Sequence, residues 1–122
     1  MEAFCPSIKE DCLEKYIKLN GSQTNPHYMI TAHDVVDSMI DVISSCVHVD
    51  NTARPQSVNK SINPIYWNLL DELEKLNKHL VVLNTSFNVN GEPIVESPEQ
   101  AIRCFFGTGI DELFIGSYVV SK

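Results

Sequence analysis

The sequence is poor in arginine and has no long apolar run. Only two of its nine cations are arginines, Arg54 and Arg103, and they face sixteen acidic residues, which gives a net charge of −7. Such a chain repels nucleic acids and anionic membranes. No stretch approaches the roughly 18 consecutive apolar residues of a membrane helix, and the first residues lack the pattern of a signal peptide. We therefore expect a cytoplasmic protein that binds neither nucleic acid nor membrane.

Metal-binding and disulfide patterns are also missing. The four cysteines form no Cys-x-x-Cys pair, and the four histidines show no spacing typical of metal ligands. In an unexported chain the cysteines are expected to be reduced thiols packed as small apolar groups. The sequence therefore predicts no metal site built from this chain alone.

Helix signals first occur near the amino terminus. Ser7 and Glu10 have the spacing of a capping box and open an apolar period of helical type, which predicts a helix from about 7 to 18. Asp34 has the side chain of an N-cap and predicts a second, brief helical segment.

Two later helices have stronger start signals. Asn63 followed by Pro64 predicts a helix from about 64 to 77. Its apolar face would comprise Ile65, Leu69, Leu73 and Leu76. Ser97 caps another predicted helix, which ends at Gly107. Arg103 lies within this helix and is expected to be a solvated or capping cation.

Strand signals alternate with these helices. Apolar, β-branched runs predict strands near 28–32, at 46–49 and, fully buried, at 79–83, with an extended piece at 54–58 and two short strands in "ELFIG" and "YVV". The alternation predicts an α/β class, with α+β as the alternative. Residues 1–122 would form a single domain with a twisted mixed sheet flanked by helices.

Polar residues are unusually dense after the predicted buried strand, in "NTSFNVNGEP". The Asn90-Gly91 pair is typical of a type I′ hairpin turn, and neighbouring asparagines can satisfy loose backbone groups. Alternatively, Thr85, Ser86 and Asn88 face a crevice at the strand end, where their hydroxyl and amide groups suit phosphate oxygens. Such a set would bind and position a ligand more than react with it.

A second polar group occurs in "HVDNTARPQ". His48, Asp50, Thr52 and Arg54 alternate and would share one face of an extended backbone, unless Asp50-Asn51 breaks it. The simpler alternative is a strand-to-turn segment with a solvated arginine. A triad of Ser86, His48 and Asp50 is disfavoured because no nucleophile elbow surrounds the serine.

Together, "HVDNTARPQSV" and the later "LNTSFNVNGEPIVESPEQAIRCFFGTGIDELFIGSYVV" resemble the C-terminal part of the carbamoyltransferase family, whose members decorate nodulation factors and antibiotics. The likeness runs from "AFCPS" to the C-terminus. In that family the region looks like part of a YrdC-like domain, whose Thr-Ser-x-Asn signature is similar to Thr85–Asn88 here.

The resemblance implies a two-part chemistry. The YrdC-like part would combine ATP, with Mg²⁺ expected, and carbamoyl phosphate to make carbamoyl adenylate. A large N-terminal metal-dependent domain of the same parent protein would then pass the carbamoyl group to a hydroxyl acceptor. The implied catalytic residue is Arg54, which would hold a phosphate or carbamoyl phosphate. The other implied binding residues are Ser86 and Asn88 on nucleotide phosphates, Thr85 and Asn84 in the loop, and His48 and Thr52 nearby.

Two departures from the family pattern bear on activity. Asn51 stands where the family usually has glycine, a tolerable change because asparagine accepts a left-handed backbone. The family's upstream Lys-x-Arg element occurs nowhere in the 122 residues. We therefore expect a partial domain that is inactive or nearly so alone. The sequence leaves a homodimer open. The alternative is a free-standing, non-catalytic module that binds a nucleotide or a protein.

Overall fold

The computed structural model describes residues 4–19, 26–77, 79 and 81–122. The chain divides into two compact units, Met1–Thr85 and Ser86–Lys122. The described α-helices are α1 Leu13–Tyr16, α2 Pro64–Leu76 and α3 Pro98–Phe106. The described strands are β1 Cys5–Lys9, β2 Ile17–Lys18, β3 His33–Val35, β4 Thr52–Ala53, β5 Gln56–Val58, β6 Val82–Asn84, β7 Glu112–Ile115 and β8 Tyr118–Ser121.

The predicted α/β class is confirmed, with helices and strands mixed along the chain. Within the described ranges the strands form three sheets, ordered β5-β1-β6, β2-β3-β4 and β7-β8. The first is a mixed sheet, because β1 pairs with β5 in parallel and with β6 in antiparallel orientation. That residues 1–122 act as one domain stays a prediction.

The register of the mixed sheet places the start of β1, the start of β5 and the end of β6 at the same end of the sheet. Gln56, the first residue of β5, lies beside Ser7 of β1, and Asn84, the last residue of β6, lies beside Cys5. The segment that leads into β5 and the segment that leaves β6 therefore lie at the same end of the sheet. Arg54 belongs to the first of these segments.

The predicted helix from 7 to 18 is wrong over most of its length. Residues 5–9 form β1, a 3₁₀ turn follows at Glu10–Cys12, and only the four residues of α1 are α-helical before β2 begins. Ser7 does not cap a helix, because its side chain is buried and donates a hydrogen bond to Gln56. Pairing with two strands overrides the local capping pattern.

The segment between β2 and β5 also differs from its prediction. The strand expected near 28–32 is found at 33–35, and the helix expected from Asp34 is reduced to 3₁₀ turns at Asp37–Met39 and Ser44–Cys46. The strand expected at 46–49 is absent from this described segment. Val49 lies fully exposed at a turn instead, so its β-branched side chain gains nothing from sheet packing.

Helix α2 is confirmed within one residue of its predicted end, but its buried face is not the predicted one. Trp67 and Leu70 are buried with Val58 of β5. Leu69 remains 51% exposed, and Ile65 and Leu76, which lie near it on a helical wheel, are more exposed still. An apolar stripe of three residues, Ile65, Leu69 and Leu76, therefore faces away from the core.

The strand predicted at 79–83 is confirmed in part, as β6. Its predicted full burial is wrong, because Leu83 is 44% exposed. Leu80 lies outside the described residues. No described helix is long and apolar enough to cross a membrane, and cytoplasmic localisation stays a prediction.

The C-terminal unit follows its prediction closely. Ser97 caps α3 by accepting a hydrogen bond from the Gln100 N–H over 3.2 Å, and Pro98 occupies the first helical turn. Strands β7 and β8 then form an antiparallel hairpin. The helix buries Ala101, Cys104 and Phe105.

Candidate functional site

Side-chain hydrogen bonds connect the three strands at this end of the mixed sheet. Oε1 of Gln56 accepts one hydrogen bond from the Ser7 hydroxyl over 2.8 Å and another from the Asn84 amide over 2.5 Å. Asn84 therefore joins the end of β6 to the start of β5 across β1. The sequence motifs did not identify Gln56, although this residue continues the alternation of Thr52 and Arg54.

Arg54 lies between β4 and β5 at this edge. It is half-buried, whereas its neighbours Ala53 and Pro55 are buried, so the backbone alternates as an extended segment should. Its guanidinium forms no hydrogen bond or ion pair with any residue that the structure describes. The five N–H donors of its guanidinium are therefore unused by the described residues.

A turn at Asp50-Asn51 interrupts the extended backbone on which His48, Asp50, Thr52 and Arg54 would have shared one face. Asp50 Oδ1 accepts hydrogen bonds from the Thr52 N–H over 3.1 Å and from its hydroxyl over 2.6 Å. Hydrogen bonds from the Thr52 hydroxyl and, to a smaller extent, from its N–H hold the pKa of Asp50 below the ordinary value. Asn51 has φ of 63°, a left-handed conformation that asparagine adopts more readily than most residues. His48 and Thr52 therefore shape the turn through backbone and side-chain bonds.

The polar loop of the C-terminal unit is organised by Asn88. Its Oδ1 accepts a hydrogen bond from the Ser86 hydroxyl over 2.6 Å, and its Nδ2 donates to the carbonyls of Val89 and Glu92 over 3.1 and 3.0 Å. Both ends of the amide are therefore used within the loop. Satisfying loose backbone groups is the simpler of the two roles that the motif predicts for its asparagines. The Ser86 and Thr85 side chains are exposed.

The predicted type I′ turn at Asn90-Gly91 is wrong. The Glu92 N–H donates to the Val89 carbonyl over 2.9 Å, which closes a four-residue turn. Gly91 has φ of 86°, while Asn90 is not among the described residues with positive φ. Positive φ at only the third position is typical of a type II turn.

A large cavity of about 890 Å³ lies within the C-terminal unit, between this loop and α3. It is lined by Asn88, Val89, Glu92, Pro93, Ile94, Val95, Glu96, Gln100, Arg103, Cys104 and Gly107. Arg103, expected from the sequence to be a solvated or capping cation, lines this cavity. The spacing of Gln100, Arg103 and Gly107 on one helical face is the signal that could have identified it.

The roles that the resemblance implies for Arg54, Ser86 and Asn88 stay predictions, because Arg54 belongs to one unit and the two loop residues to the other. Within residues 4–19, 26–77, 79 and 81–122, no group of three or more His, Cys, Asp or Glu side chains could hold a metal ion.

The structure is of the α/β class, with hydrogen-bonding groups at the end of the mixed sheet in one unit and in a loop of the other. The chain belongs to the carbamoyltransferase C-terminal family, whose model, described as "Carbamoyltransferase C-terminus", matches residues 2–122. The family resemblance in the motifs is thus confirmed.

Several curated proteins are similar to nearly the whole chain. Nodulation protein NolNO of Sinorhizobium fredii is 36% identical over 98% of the chain, and nodulation protein NolO of Bradyrhizobium diazoefficiens is 35% identical over 98%. An uncharacterised protein of Methanocaldococcus jannaschii is 37% identical over 99%. The chain spans 18%, 22% and 19% of these relatives' lengths, respectively, about a fifth of each.

Proposed function

We propose that this chain is the ATP- and carbamoyl phosphate-binding portion of an O-carbamoyltransferase. With a larger, metal-dependent N-terminal portion it would form carbamoyl adenylate and pass the carbamoyl group to a hydroxyl acceptor. The observation that carries the proposal is the half-buried residue Arg54 at the end of the mixed sheet, whose guanidinium has no partner among the described residues. Family membership and the similarity to nodulation proteins support it.

Arg54 would bind the phosphate of carbamoyl phosphate. A guanidinium offers parallel N–H groups that match two oxygens of one phosphate, which a lysine ammonium cannot do. Its backbone is held on both sides, by β4 pairing with β3 and by β5 pairing with β1. A cation on such a support would position a phosphate with little loss of conformational freedom.

The loop after β6 would supply neutral donors to the phosphates of ATP, which with Mg²⁺ would supply the adenylyl group. Thr85 is exposed, so its hydroxyl is available to a ligand, whereas the exposed Ser86 hydroxyl would have to exchange its hydrogen bond to Asn88 Oδ1 for one to the ligand. Asn88 would act chiefly by holding the loop, because both ends of its amide bind within it. The donor set fits phosphate oxygens and contains no activated nucleophile, so its contribution would be positioning and charge stabilisation.

The chain alone is poorly charged for two phosphorylated substrates. Its net charge is −7, and one arginine at the sheet edge cannot neutralise both a triphosphate and an acyl phosphate. Cations from the N-terminal portion would complete the site. The chain by itself is therefore expected to bind either substrate weakly and to form no carbamoylated product.

The alternative is a free-standing module that binds a nucleotide or a protein and catalyses nothing. The exposed stripe of Ile65, Leu69 and Leu76 favours this alternative, because exposed apolar patches often mark protein contacts. The same stripe also suits docking of the N-terminal portion, as the main proposal requires.

The test has a binding arm and a turnover arm, each with Arg54→Lys and Arg54→Ala. Calorimetry with carbamoyl phosphate should show affinity falling by roughly 1–3 kcal/mol in Arg54→Lys, which keeps the charge but loses the fork. ATP, carbamoyl phosphate and pyrophosphatase should release no phosphate with the chain alone. Binding that is unaffected by either variant would remove Arg54 from the site. Rapid, Arg54-dependent phosphate release would show that the N-terminal portion is unnecessary for adenylate formation.

A further inference from the structure

The C-terminal unit contains a cavity that the contacts proposed for Arg54 and for the loop hydroxyls leave unused. It measures about 890 Å³ and is formed by residues 88–96 and one side of α3. This volume is typical of sites for small organic ligands. All its lining residues lie within Ser86–Lys122, so the cavity is a feature of that unit by itself.

Charges of both signs line this cavity without pairing with one another. Arg103 is the one cationic residue among the described residues of its wall, and Glu92 and Glu96 are the carboxylates. Within the described ranges no ion pair joins Arg103 to either glutamate, and its guanidinium makes no hydrogen bond. The two carboxylates likewise have no partner among the described residues. Charged groups of both signs are therefore available to a ligand.

A neutral donor lies on the same face of α3 as Arg103. Gln100 precedes it by three residues, a spacing that places two side chains next to each other on a helix. The Gln100 Oε1 accepts a hydrogen bond from the Glu96 N–H over 2.8 Å, so the side-chain NH₂ is the part of the amide without a described partner. The guanidinium and this NH₂ are together suited to a carboxylate.

The rest of the wall is apolar and only partly covered. Val89, Pro93, Ile94 and Val95 line the cavity, and Ile94 is 61% exposed. Apolar surface in a cavity favours binding because a ligand removes it from water. The loop that carries this wall is held by the two hydrogen bonds of the Asn88 NH₂ group, so little conformational freedom is lost when a ligand binds.

The lining charges disfavour three simpler classes of ligand. An anion would meet the two carboxylates, and a cation would meet the guanidinium. A neutral apolar molecule would remove charged groups from water without giving them partners, which costs free energy. A ligand with one negative group, one positive group and an apolar side chain satisfies the guanidinium, the carboxylates and the apolar wall together.

We propose that this cavity binds a zwitterionic compound of the amino-acid class, a free α-amino acid or a short peptide with an apolar side chain. The carboxylate of the ligand binds Arg103 and Gln100, its ammonium binds Glu92 and Glu96, and its side chain packs on the apolar wall. This ligand belongs to a different chemical class from the phosphorylated substrates proposed for Arg54.

The experiment titrates the full 122-residue chain with four probes and follows amide signals by NMR. Leucine and leucyl-leucine carry both charges, whereas 4-methylpentanoate lacks the ammonium and 3-methylbutylamine lacks the carboxylate. The zwitterions should shift the signals of Gly107 and of the Gln100 side chain. Each singly charged probe should bind at least about tenfold more weakly than the better zwitterion. Tighter binding of leucyl-leucine than of leucine assigns the site to peptides, and any other order assigns it to free amino acids.

Matched variants test the two ends of the ligand separately. Arg103→Gln should weaken the binding of leucine at least about tenfold without weakening that of 3-methylbutylamine, which has no carboxylate. Glu96→Gln should weaken leucine binding by only about threefold, because Glu92 remains. Lys15→Ala and Glu99→Gln remove the same charges at exposed positions outside the cavity and should leave the binding of leucine unchanged.

Three results would overturn the proposal. The first is binding of 4-methylpentanoate as tight as that of leucine, which would make the cavity a site for apolar anions. The second is equal binding of leucine to Arg103→Gln and wild type. The third is the absence of any shift with leucine and leucyl-leucine at millimolar concentrations. Because no probe contains a phosphate, none of these results bears on the function proposed for Arg54.

Discussion

The side-chain amide of Asn84 donates a hydrogen bond to Oε1 of Gln56 over 2.5 Å, and so joins two strands that are not neighbours in the mixed sheet. The buried Ser7 hydroxyl on the strand between them donates to the same oxygen. One glutamine therefore fixes the end of β6, the middle of β1 and the start of β5. This arrangement holds the segment that carries Arg54.

Replacing Gln56 with leucine should destabilise the chain by about 1–3 kcal/mol, because two donors lose their acceptor and Ser7 is buried. Gln56→Glu keeps an acceptor oxygen and should cost less. Urea unfolding of the two variants measures the difference. Equal midpoints for Gln56→Leu and wild type would contradict a stabilising role for this network.

Ser86 and Asn88 should differ in their effects on stability. Asn88→Ala removes donors to two backbone carbonyls and should lower the free energy of unfolding by about 1 kcal/mol, whereas Ser86→Ala, at an exposed position, should cost less than about 0.5 kcal/mol. Thermal melts with and without ATP measure both effects. A Ser86→Ala variant that is destabilised but keeps the full shift with ATP would show that the hydroxyl serves the loop alone.

Stability should fall in acid through the ion pairs of Lys9. Its ammonium lies 3.0 Å from Asp71 Oδ1 and also contacts the Glu74 carboxylate, and the Lys9 side chain is only 10% exposed. Hydrogen bonds from Lys9 hold the pKa values of both carboxyls below their ordinary values. The stabilisation is therefore complete above the unfolded-state pKa values of about 4 and is lost as the pH falls through the lower folded-state values.

Urea unfolding at pH 7 and pH 3 tests this prediction. The drop in the free energy of unfolding should be smaller in Lys9→Met than in wild type. Lys75→Met is the matched control, because Lys75 pairs with Asp71 and Glu72 from a side chain that is 61% exposed, and should leave the drop almost unchanged. An unaltered acid drop in Lys9→Met would place its origin at other carboxyls.

Two adjacent leucines of α2 should respond oppositely to substitution. Leu70 is 1% exposed, and Leu70→Ala should cost about 2–5 kcal/mol of unfolding free energy. Leu69→Asp, on the exposed stripe, should change the stability of the chain by less than about 0.5 kcal/mol. Sedimentation at high concentration shows whether the stripe mediates the homodimer that the sequence left possible. A dimer that persists in Leu69→Asp would exclude the stripe as its interface.

Local signals predicted α2, α3 and the last two strands, β7 and β8. Pro64 and Pro98 lie in the first turns of these helices, and the Ser97 side chain accepts a hydrogen bond from the Gln100 N–H, whereas the Asn63 side chain makes no capping hydrogen bond. Adjacent residues were therefore enough to identify both helix starts.

At Ser7 the capping pattern gave a wrong prediction. The Ser7 hydroxyl donates its hydrogen bond to Gln56, which lies 49 positions later in the chain. Gln56 lies beside Ser7 because β1 pairs with β5, and a capping pattern gives no information about strand pairing.

The features of the candidate site likewise fall into those that the motifs predicted and those that only the structure shows. The motifs identified Arg54, Ser86 and Asn88 as polar residues at strand ends and in a loop. They did not show that Asn88 uses both ends of its amide within the loop, or that Arg103 lines a cavity. Those features depend on how the loop turns back toward α3, which involves the type II geometry at Gly91 instead of the expected type I′.

The sequence by itself determined the net charge, the family and the bounds of α2 and α3, because composition, motif order and helix caps are properties of the chain or of a few adjacent residues. The tertiary structure alone decided that Ser7 lies in a strand and that α2 buries Trp67 and Leu70 while Leu69 stays exposed. The physical reason is that burial and hydrogen-bond pairing are set by residues distant in sequence. A helical period shows which side chains share a face, but only the packed neighbours decide which face is removed from water.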